Sequence, residues 1–134
     1  MRNALMISIV TLSVACIGGG IVGSSTVTGA YALSTINGSP LPYTMSGSGT
    51  TKTEIVGDTI FLYEGFTFAE TKSSRTTLNG AATTASHTET GSYGLLGTSI
   101  SLRGNDGGPL RVATIEANTM TLVDAGLTSV FKKK

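Results

Sequence analysis

The chain of 134 residues contains one cysteine, one histidine and no tryptophan, and only 13% of its residues are charged. A single cysteine excludes an intrachain disulfide framework, and one cysteine with one histidine cannot complete a tetrahedral zinc site from those two ligand types. The formal net charge of +1 lacks the broad basic excess of nucleic-acid-binding domains. We therefore expect no metal site, no cofactor and no nucleic-acid partner.

The sequence is poor in charged residues and rich in small ones, with 18 Gly, 15 Ser and 22 Thr. Thr fits β-strands, and both Thr and Gly are poor helix formers, so long helices are not expected. The hydrophobic fraction of 40% is sufficient for a core, and the length fits one domain. The composition predicts a small all-β domain.

The N-terminus has the charged, apolar and small-residue order of a secretory signal. Arg2 precedes an apolar run over residues 4–12, and the small residues Ser13 and Ala15 occupy positions that a signal peptidase admits. We expect residues 1–15 to be a signal peptide and the protein to be exported to the cell envelope.

Residues 13–16 look like a bacterial lipobox, in which the cysteine is acylated and becomes the mature N-terminus. That resemblance implies a lipid anchor on Cys16, with the domain on the periplasmic or cell-surface side of a membrane. Plain cleavage after Ala15 would instead release a soluble domain, and residues 4–22 would form an anchor if cleavage failed. Residues 16–28 are rich in Gly and Ser, which predicts a flexible tether.

From residue 29 onward, segments of alternating apolar and polar side chains follow one another, separated by turn residues. They predict strands over residues 30–36, 50–56, 59–63, 66–73, 87–95, 99–103, 110–116, 119–123 and 127–132. Two prolines exclude residues 39–42 from a central strand, and residues 75–86 fit either a loop or a helical turn. We expect residues 29–134 to form an antiparallel up-and-down barrel of eight or nine short strands, since closure removes exposed edges.

An internal near-repeat supports the strand assignment. Residues 57–62, 97–102 and 117–122 each contain a turn, a hydroxyl residue and two apolar residues two positions apart. We interpret each segment as the second arm of a hairpin. Because strand side chains alternate between two faces, each apolar pair projects to the interior. The pairs are Ile60 with Leu62, Ile100 with Leu102, and Met120 with Leu122.

Four short segments carry a family resemblance. They are GAYAL at 29–33, NGSPLP at 37–42, ETGSY at 89–93 and DAGLTSVF at 124–131. With them, residues 29–131 resemble the small bacterial lipocalin-like proteins of the calycin type. The resemblance implies a small antiparallel barrel and often a lipidated N-terminus, and it transfers no catalytic residues.

The barrel interior is the first candidate for a ligand site, because a barrel of about eight strands either packs its interior or holds one small ligand. A cavity would take a small apolar or amphipathic ligand. A filled core would leave a structural or protein-interaction module that acts through its loops. The resemblance places Tyr31 near the closed end of the barrel, as a plug or as a ligand contact. The expected lining residues are Tyr31, Leu33, Leu62, Tyr93, Leu102 and Met120.

Arg103 and Arg111 flank a Gly-rich segment that predicts a hairpin turn. They are expected to lie near each other across the hairpin mouth. Two guanidinium groups there could contact a carboxylate or phosphate, or pair with Asp106 and Glu116.

His87 and Glu89 share one strand face, which is the minimum for proton transfer. Nothing nearby in sequence completes a catalytic set, and no second histidine is present to prefer a triad. We expect a non-catalytic binding module, not an enzyme, attached to the membrane through its N-terminal lipid and without an identifiable protein partner.

Overall fold

The computed structural model describes residues 27–134, and their regular structure is entirely β. No helix in these residues has the length and apolar character needed to cross a membrane. Cys16, the expected signal peptide and nearly all of the expected tether lie outside the described residues. The ten strands are β1 (Gly29–Ile36), β2 (Ser39–Pro40), β3 (Tyr43–Ser48), β4 (Thr51–Leu62), β5 (Thr67–Leu78), β6 (Ala81–Leu96), β7 (Ser99–Gly104), β8 (Arg111–Glu116), β9 (Thr119–Asp124) and β10 (Leu127–Lys133).

Eight of these strands close into an antiparallel barrel. From β4 to β10 each strand pairs with the next one in sequence, and β1 completes the ring by pairing with both β10 and β4. The two remaining strands lie outside the ring, where β2 pairs with β1 and β3 pairs with β4. The predicted all-β, up-and-down barrel is therefore confirmed.

One predicted turn is wrong. The dipeptide Gly57-Asp58 lies inside β4, where a register shift between Ile55 and Gly57 marks a β-bulge. A bulge adds one unpaired residue and bends a strand without ending it, so the same residue types that favour a turn are accommodated within the strand. Residues 57–62 are thus not the second arm of a hairpin, whereas residues 97–102 and 117–122 are.

The undecided segment over residues 75–86 is the tip of the β5–β6 hairpin. Asn79 and Gly80 form its two-residue turn with φ of 52° and 85°, which suits the primed turns that join twisted strands. Strand β3 was not predicted, because its sequence YTMSGS lacks a run of alternating apolar residues. All but one of its residues are exposed, which explains the missing pattern.

The barrel is closed at one end by a packed apolar core to which every strand of the ring contributes. The hydroxyl of Tyr31 donates a hydrogen bond to the Val27 carbonyl at 2.7 Å, where the chain enters the barrel. The nine residues expected to face inward from their alternation are all buried, as predicted. They are Tyr31, Leu33, Ile60, Leu62, Tyr93, Ile100, Leu102, Met120 and Leu122.

Three ring strands continue past the opposite end of the barrel, which we call the mouth. Strands β4, β5 and β6 have 12, 12 and 16 residues, against six to eight in the other ring strands. Their extensions form, together with β3, a four-stranded sheet that we call the arm. It comprises β3 with residues 51–57, 73–78 and 81–87.

Candidate functional site

Charged side chains lie inside the mouth because they share the inward face of core strands. Asp58 lies two residues before the buried Ile60, and Glu70 lies two residues after the buried Phe68. Arg111 lies opposite the fully buried Leu102 in the β7–β8 ladder. Since side chains alternate along a strand, each of these groups must project into the barrel.

Arg111 forms ion pairs with two acidic residues from other strands. Its Nη2 atom lies 2.5 Å from Glu70 Oε2 on β5 and 3.0 Å from Glu89 Oε2 on β6. The Arg111 side chain is 10% exposed and that of Glu70 is 4% exposed, so this ion pair is withdrawn from water. The guanidinium carbon also lies 5.9 Å from the centre of the Phe68 ring, directly above the apolar core.

Asp58 and Glu70 form a second, more unusual contact. Burial, together with the charge of Glu70, raises the pKa of Asp58 to about 8. Burial also opposes ionisation of Glu70, but the hydrogen bond and charge of Arg111 outweigh it and lower the pKa of Glu70. These opposite shifts favour a neutral Asp58 beside an ionised Glu70 near pH 7, with the Asp58 proton shared between the two carboxyl groups.

Besides Arg111, which contacts Glu70, the cation beside this acidic pair is Lys72. Lys72 Nζ lies 3.7 Å from both Asp58 Oδ2 and Glu70 Oε1, and its side chain is 48% exposed. Apart from the shared proton, Asp58 Oδ1 and Glu70 Oε1 accept no hydrogen bond from any residue of the described chain, whereas Glu70 Oε2 lies against the Arg111 cation. Two buried carboxyl oxygens thus have unused capacity to accept hydrogen bonds.

Two cavities open beside these charged groups, and they share Ile55, Lys72 and Arg111 as walls. The larger, of about 340 Å³, lies between the arm and the ring, and the smaller has about 100 Å³. Residues lining the larger cavity are Ile55, Glu70, Lys72, Ser74, Ala85, Ser86, His87, Glu89 and Arg111. Among those lining the smaller are Leu33, Ile36, Met45, Asp58, Leu122, Asp124, Leu127 and Phe131. The mouth therefore combines a charged floor with apolar walls.

The six residues expected to contact a ligand inside the barrel lie in the core cluster. Of these, Leu33 lines the smaller cavity. The other five, Tyr31, Leu62, Tyr93, Leu102 and Met120, line neither mouth cavity and pack against one another and their neighbours. The open volume thus lies above them, at the mouth of the barrel.

The two arginines expected to flank one anion do not come together. Arg111 points into the barrel, whereas Arg103 follows the inward Leu102 and is exposed on the outer face, opposite Ser92. Neighbouring strand positions face opposite sides, so a shared site is sterically excluded. The carboxylates on Arg111 are Glu70 and Glu89, not the nearby Asp106 and Glu116.

His87 and Glu89 do share one face, as their spacing predicted, and both line the larger cavity. The sequence-based reasoning missed Asp58, Glu70 and Lys72. Their inward orientation was indicated by the sequence, since each lies an even number of residues from an inward-facing apolar residue. Asp58 was nevertheless assigned to a turn. No group of three or more His, Cys, Asp or Glu side chains between residues 27 and 134 is arranged to hold a metal ion.

Compared with known proteins, the chain matches no protein-family model, no curated protein and no solved structure. The closed antiparallel barrel is compatible with a lipocalin-like fold. Because a fold alone does not determine function, the chemistry of the mouth is the guide to what the protein does.

Proposed function

We propose that the protein is a non-catalytic binding module of the cell envelope that holds a small amphipathic ligand at the mouth of its barrel. The observation that carries this proposal is the cavity of about 340 Å³ at the mouth. Its volume lies in the range of small-molecule sites, roughly 300–1,000 Å³, which typically combine apolar walls with a few polar groups. Ile55 and Ala85 offer apolar contact there, while Glu70 and Arg111 offer charge.

The packed core below the mouth narrows the choice of ligand. An entirely apolar molecule would need to displace core side chains such as Leu102 and Met120, which are fully buried. A molecule with one polar end can instead place that end against the charged groups and leave its apolar part against the arm. The proposal is therefore for an amphipathic ligand bound at the rim, not an apolar one bound deep inside.

A protein-interaction module is the alternative, and one observation favours it. Within the arm, from Ala81 to His87, β6 pairs with β5 along one side and with no strand along the other, since its pairing with β7 begins only at Gly91. The other side of β6 is thus an open sheet edge, which can accept a strand from another chain.

Export and lipid attachment are part of the proposal and are supported by the signal-like N-terminus with its lipobox-like Cys16. The chain enters the barrel at the closed end, beside Val27, so an N-terminal lipid would be tethered to the end of the barrel opposite the mouth. Changing Cys16→Ser should prevent incorporation of radiolabelled fatty acid and move the protein to the soluble fraction. Absence of label from the wild-type protein would contradict lipidation.

Native mass spectrometry of protein purified from its expression host tests the binding function. A molecule of a few hundred daltons that is retained under gentle ionisation and lost on unfolding supports the proposal. Titration with an environment-sensitive amphipathic dye provides the second measurement, with saturable fluorescence enhancement as the expected result. Failure of both to detect binding would favour the protein-interaction module.

A further inference from the structure

The charges that face the mouth are unbalanced. Four carboxyl groups line the two cavities, from Asp58 on β4, Glu70 on β5, Glu89 on β6 and Asp124 on β9. The basic groups there are Lys72 on β5 and Arg111 on β8, and His87 on β6 is the remaining titratable side chain that lines them. The mouth therefore has two more carboxyl groups than permanently cationic side chains.

An anionic ligand head would meet competition at both basic groups. Arg111 already contacts the carboxylates of Glu70 and Glu89, so an incoming anion would have to displace one of them or lie beside both. Lys72 extends toward solvent and stays 3.7 Å from Asp58 and Glu70. Neither group offers a vacant, electropositive position.

A cationic head finds acceptors there, which it would share with the Lys72 ammonium 3.7 Å from both carboxyl groups. The Asp58 side chain is 3% exposed and that of Glu70 is 4% exposed, and one oxygen of each accepts no hydrogen bond beyond the shared proton. Buried acceptors without donors are unfavourable, and a charged donor satisfies them more strongly than a neutral one. An ammonium group is compact and has three N–H donors, which suits two carboxyl groups on adjacent strands.

We infer that the mouth selects ligands with a primary ammonium head, which is held between Asp58 and Glu70 while an apolar tail lies against Ile55 and Ala85 on the arm. This inference rests on the proposed binding function and specifies its ligand class. The ammonium N–H groups replace the shared proton, and that proton dissociates from Asp58 into the solvent. Binding near neutral pH therefore releases up to one proton for each ligand bound.

Three probes of equal chain length test the head group: hexylammonium, hexanol and hexanoate. Their affinities at pH 7 are compared by displacement of the environment-sensitive dye from the full-length protein. We expect hexylammonium to bind at least about tenfold more tightly than hexanol, and hexanoate to bind most weakly. If hexanol or hexanoate matches hexylammonium, the inference is overturned while the proposed binding function stands. If neither the dye nor any probe binds, the proposed function itself fails.

The pH dependence provides a separate test. Binding that requires ionised Asp58 should strengthen as pH rises from 6 to 8, by up to about tenfold per pH unit, and level off above 8. Hexylammonium remains charged throughout this range. Because His87 also lines the larger cavity, the same rise should persist in His87→Gln. A rise that disappears in His87→Gln would assign the effect to the imidazole and contradict the role of Asp58.

Asp58→Asn keeps the size of the side chain but cannot ionise. It should weaken hexylammonium binding about tenfold or more at pH 8 and remove the rise with pH, whereas Asp124→Asn should retain the rise with pH. Unchanged hexylammonium affinity in a folded Asp58→Asn variant would overturn the inference. If that variant does not fold, calorimetry of hexylammonium binding to the wild-type protein in two buffers of different ionisation enthalpy measures how many protons are released on binding. Release of no proton at pH 7 would contradict the replacement of the Asp58 proton by the ammonium group.

Discussion

The Arg111 guanidinium and the Glu70 carboxylate meet inside the barrel at 2.5 Å, although they belong to strands β8 and β5, which are not neighbours in the ring. Below this pair lies an apolar core, and above it the mouth cavities open. The pair therefore forms the boundary between the part of the barrel that provides stability and the part that we propose binds ligand.

Replacing Arg111 tests the energetic role of that boundary. Arg111→Leu leaves Glu70 buried without its main cation, and the free energy of unfolding at pH 7 should fall by about 3–5 kcal/mol. Urea unfolding followed by circular dichroism measures it. Arg103→Leu is the matched control, because Arg103 is exposed on the outer face, and it should change stability by less than about 0.5 kcal/mol. Similar losses in both variants would show that the buried ion pair contributes no more to the free energy of unfolding than an exposed arginine does.

Leu62 tests the packing of the closed end. Its side chain is buried in the core cluster, so Leu62→Ala should lower the free energy of unfolding by about 2–5 kcal/mol through lost burial and a residual cavity. Leu78→Ala, at the exposed tip of the β5–β6 hairpin, is the control and should cost less than about 0.5 kcal/mol. A loss below that value at Leu62 would mean that the core tolerates truncation there.

Tyr31 tests whether the barrel floor is separate from the binding site. Tyr31→Phe removes only the hydroxyl that donates to the Val27 carbonyl, and it should cost about 1 kcal/mol of stability. Dye affinity should not change, because Tyr31 lines neither mouth cavity. Tyr63→Phe, on an exposed ring, serves as the control for stability. A change in dye affinity with unaltered stability would instead place the ligand at the floor.

The raised pKa of Asp58 predicts how stability depends on pH. In the unfolded chain Asp58 ionises near its ordinary pKa of 3.8, whereas in the folded protein it keeps its proton up to about pH 8. Between these values the folded state binds one more proton, so its stability falls as pH rises, by up to about 1.4 kcal/mol per pH unit. Above pH 8 this contribution is constant.

Asp58→Asn removes that dependence while keeping the side-chain shape. The stability of this variant relative to the wild-type protein should increase from pH 5 to pH 8 and then level off, as measured by urea unfolding at each pH. A difference between Asp58→Asn and wild type that is constant across this range would contradict a protonated Asp58.

The barrel was predictable from sequence because alternation and turn residues are local signals. The pairs Ile100 with Leu102 and Met120 with Leu122 identified the inward face, and both follow hairpin turns as expected. Strand β4 was divided in two, because the bulge after Ile55 has the composition of a turn. Whether such residues end a strand or bend it depends on the partner strand, which local sequence does not specify.

The charged mouth was not predictable in the same way. Asp58, Glu70 and Arg111 lie far apart in sequence, and their contact depends on barrel closure and on how far β4 and β5 extend past the ring. Arg111 was identified as a candidate anion contact, but its distance in sequence from Glu70 and Glu89 concealed both partners. Alternation alone does place these three residues inward, so a search for charged residues in phase with the core would have found them.

Filling the larger mouth cavity is the most direct test of the binding site. Ala85 lines that cavity, whereas Ala82 on the same strand is exposed on the opposite face of the arm, so the same substitution can be made at both positions. Dye affinity is measured by fluorescence titration at pH 7 for Ala85→Trp and Ala82→Trp, after circular dichroism shows that both fold. The binding function predicts that Ala85→Trp weakens dye binding at least about tenfold while Ala82→Trp binds as the wild-type protein does. Equal affinity in the two variants would contradict a ligand site at the mouth.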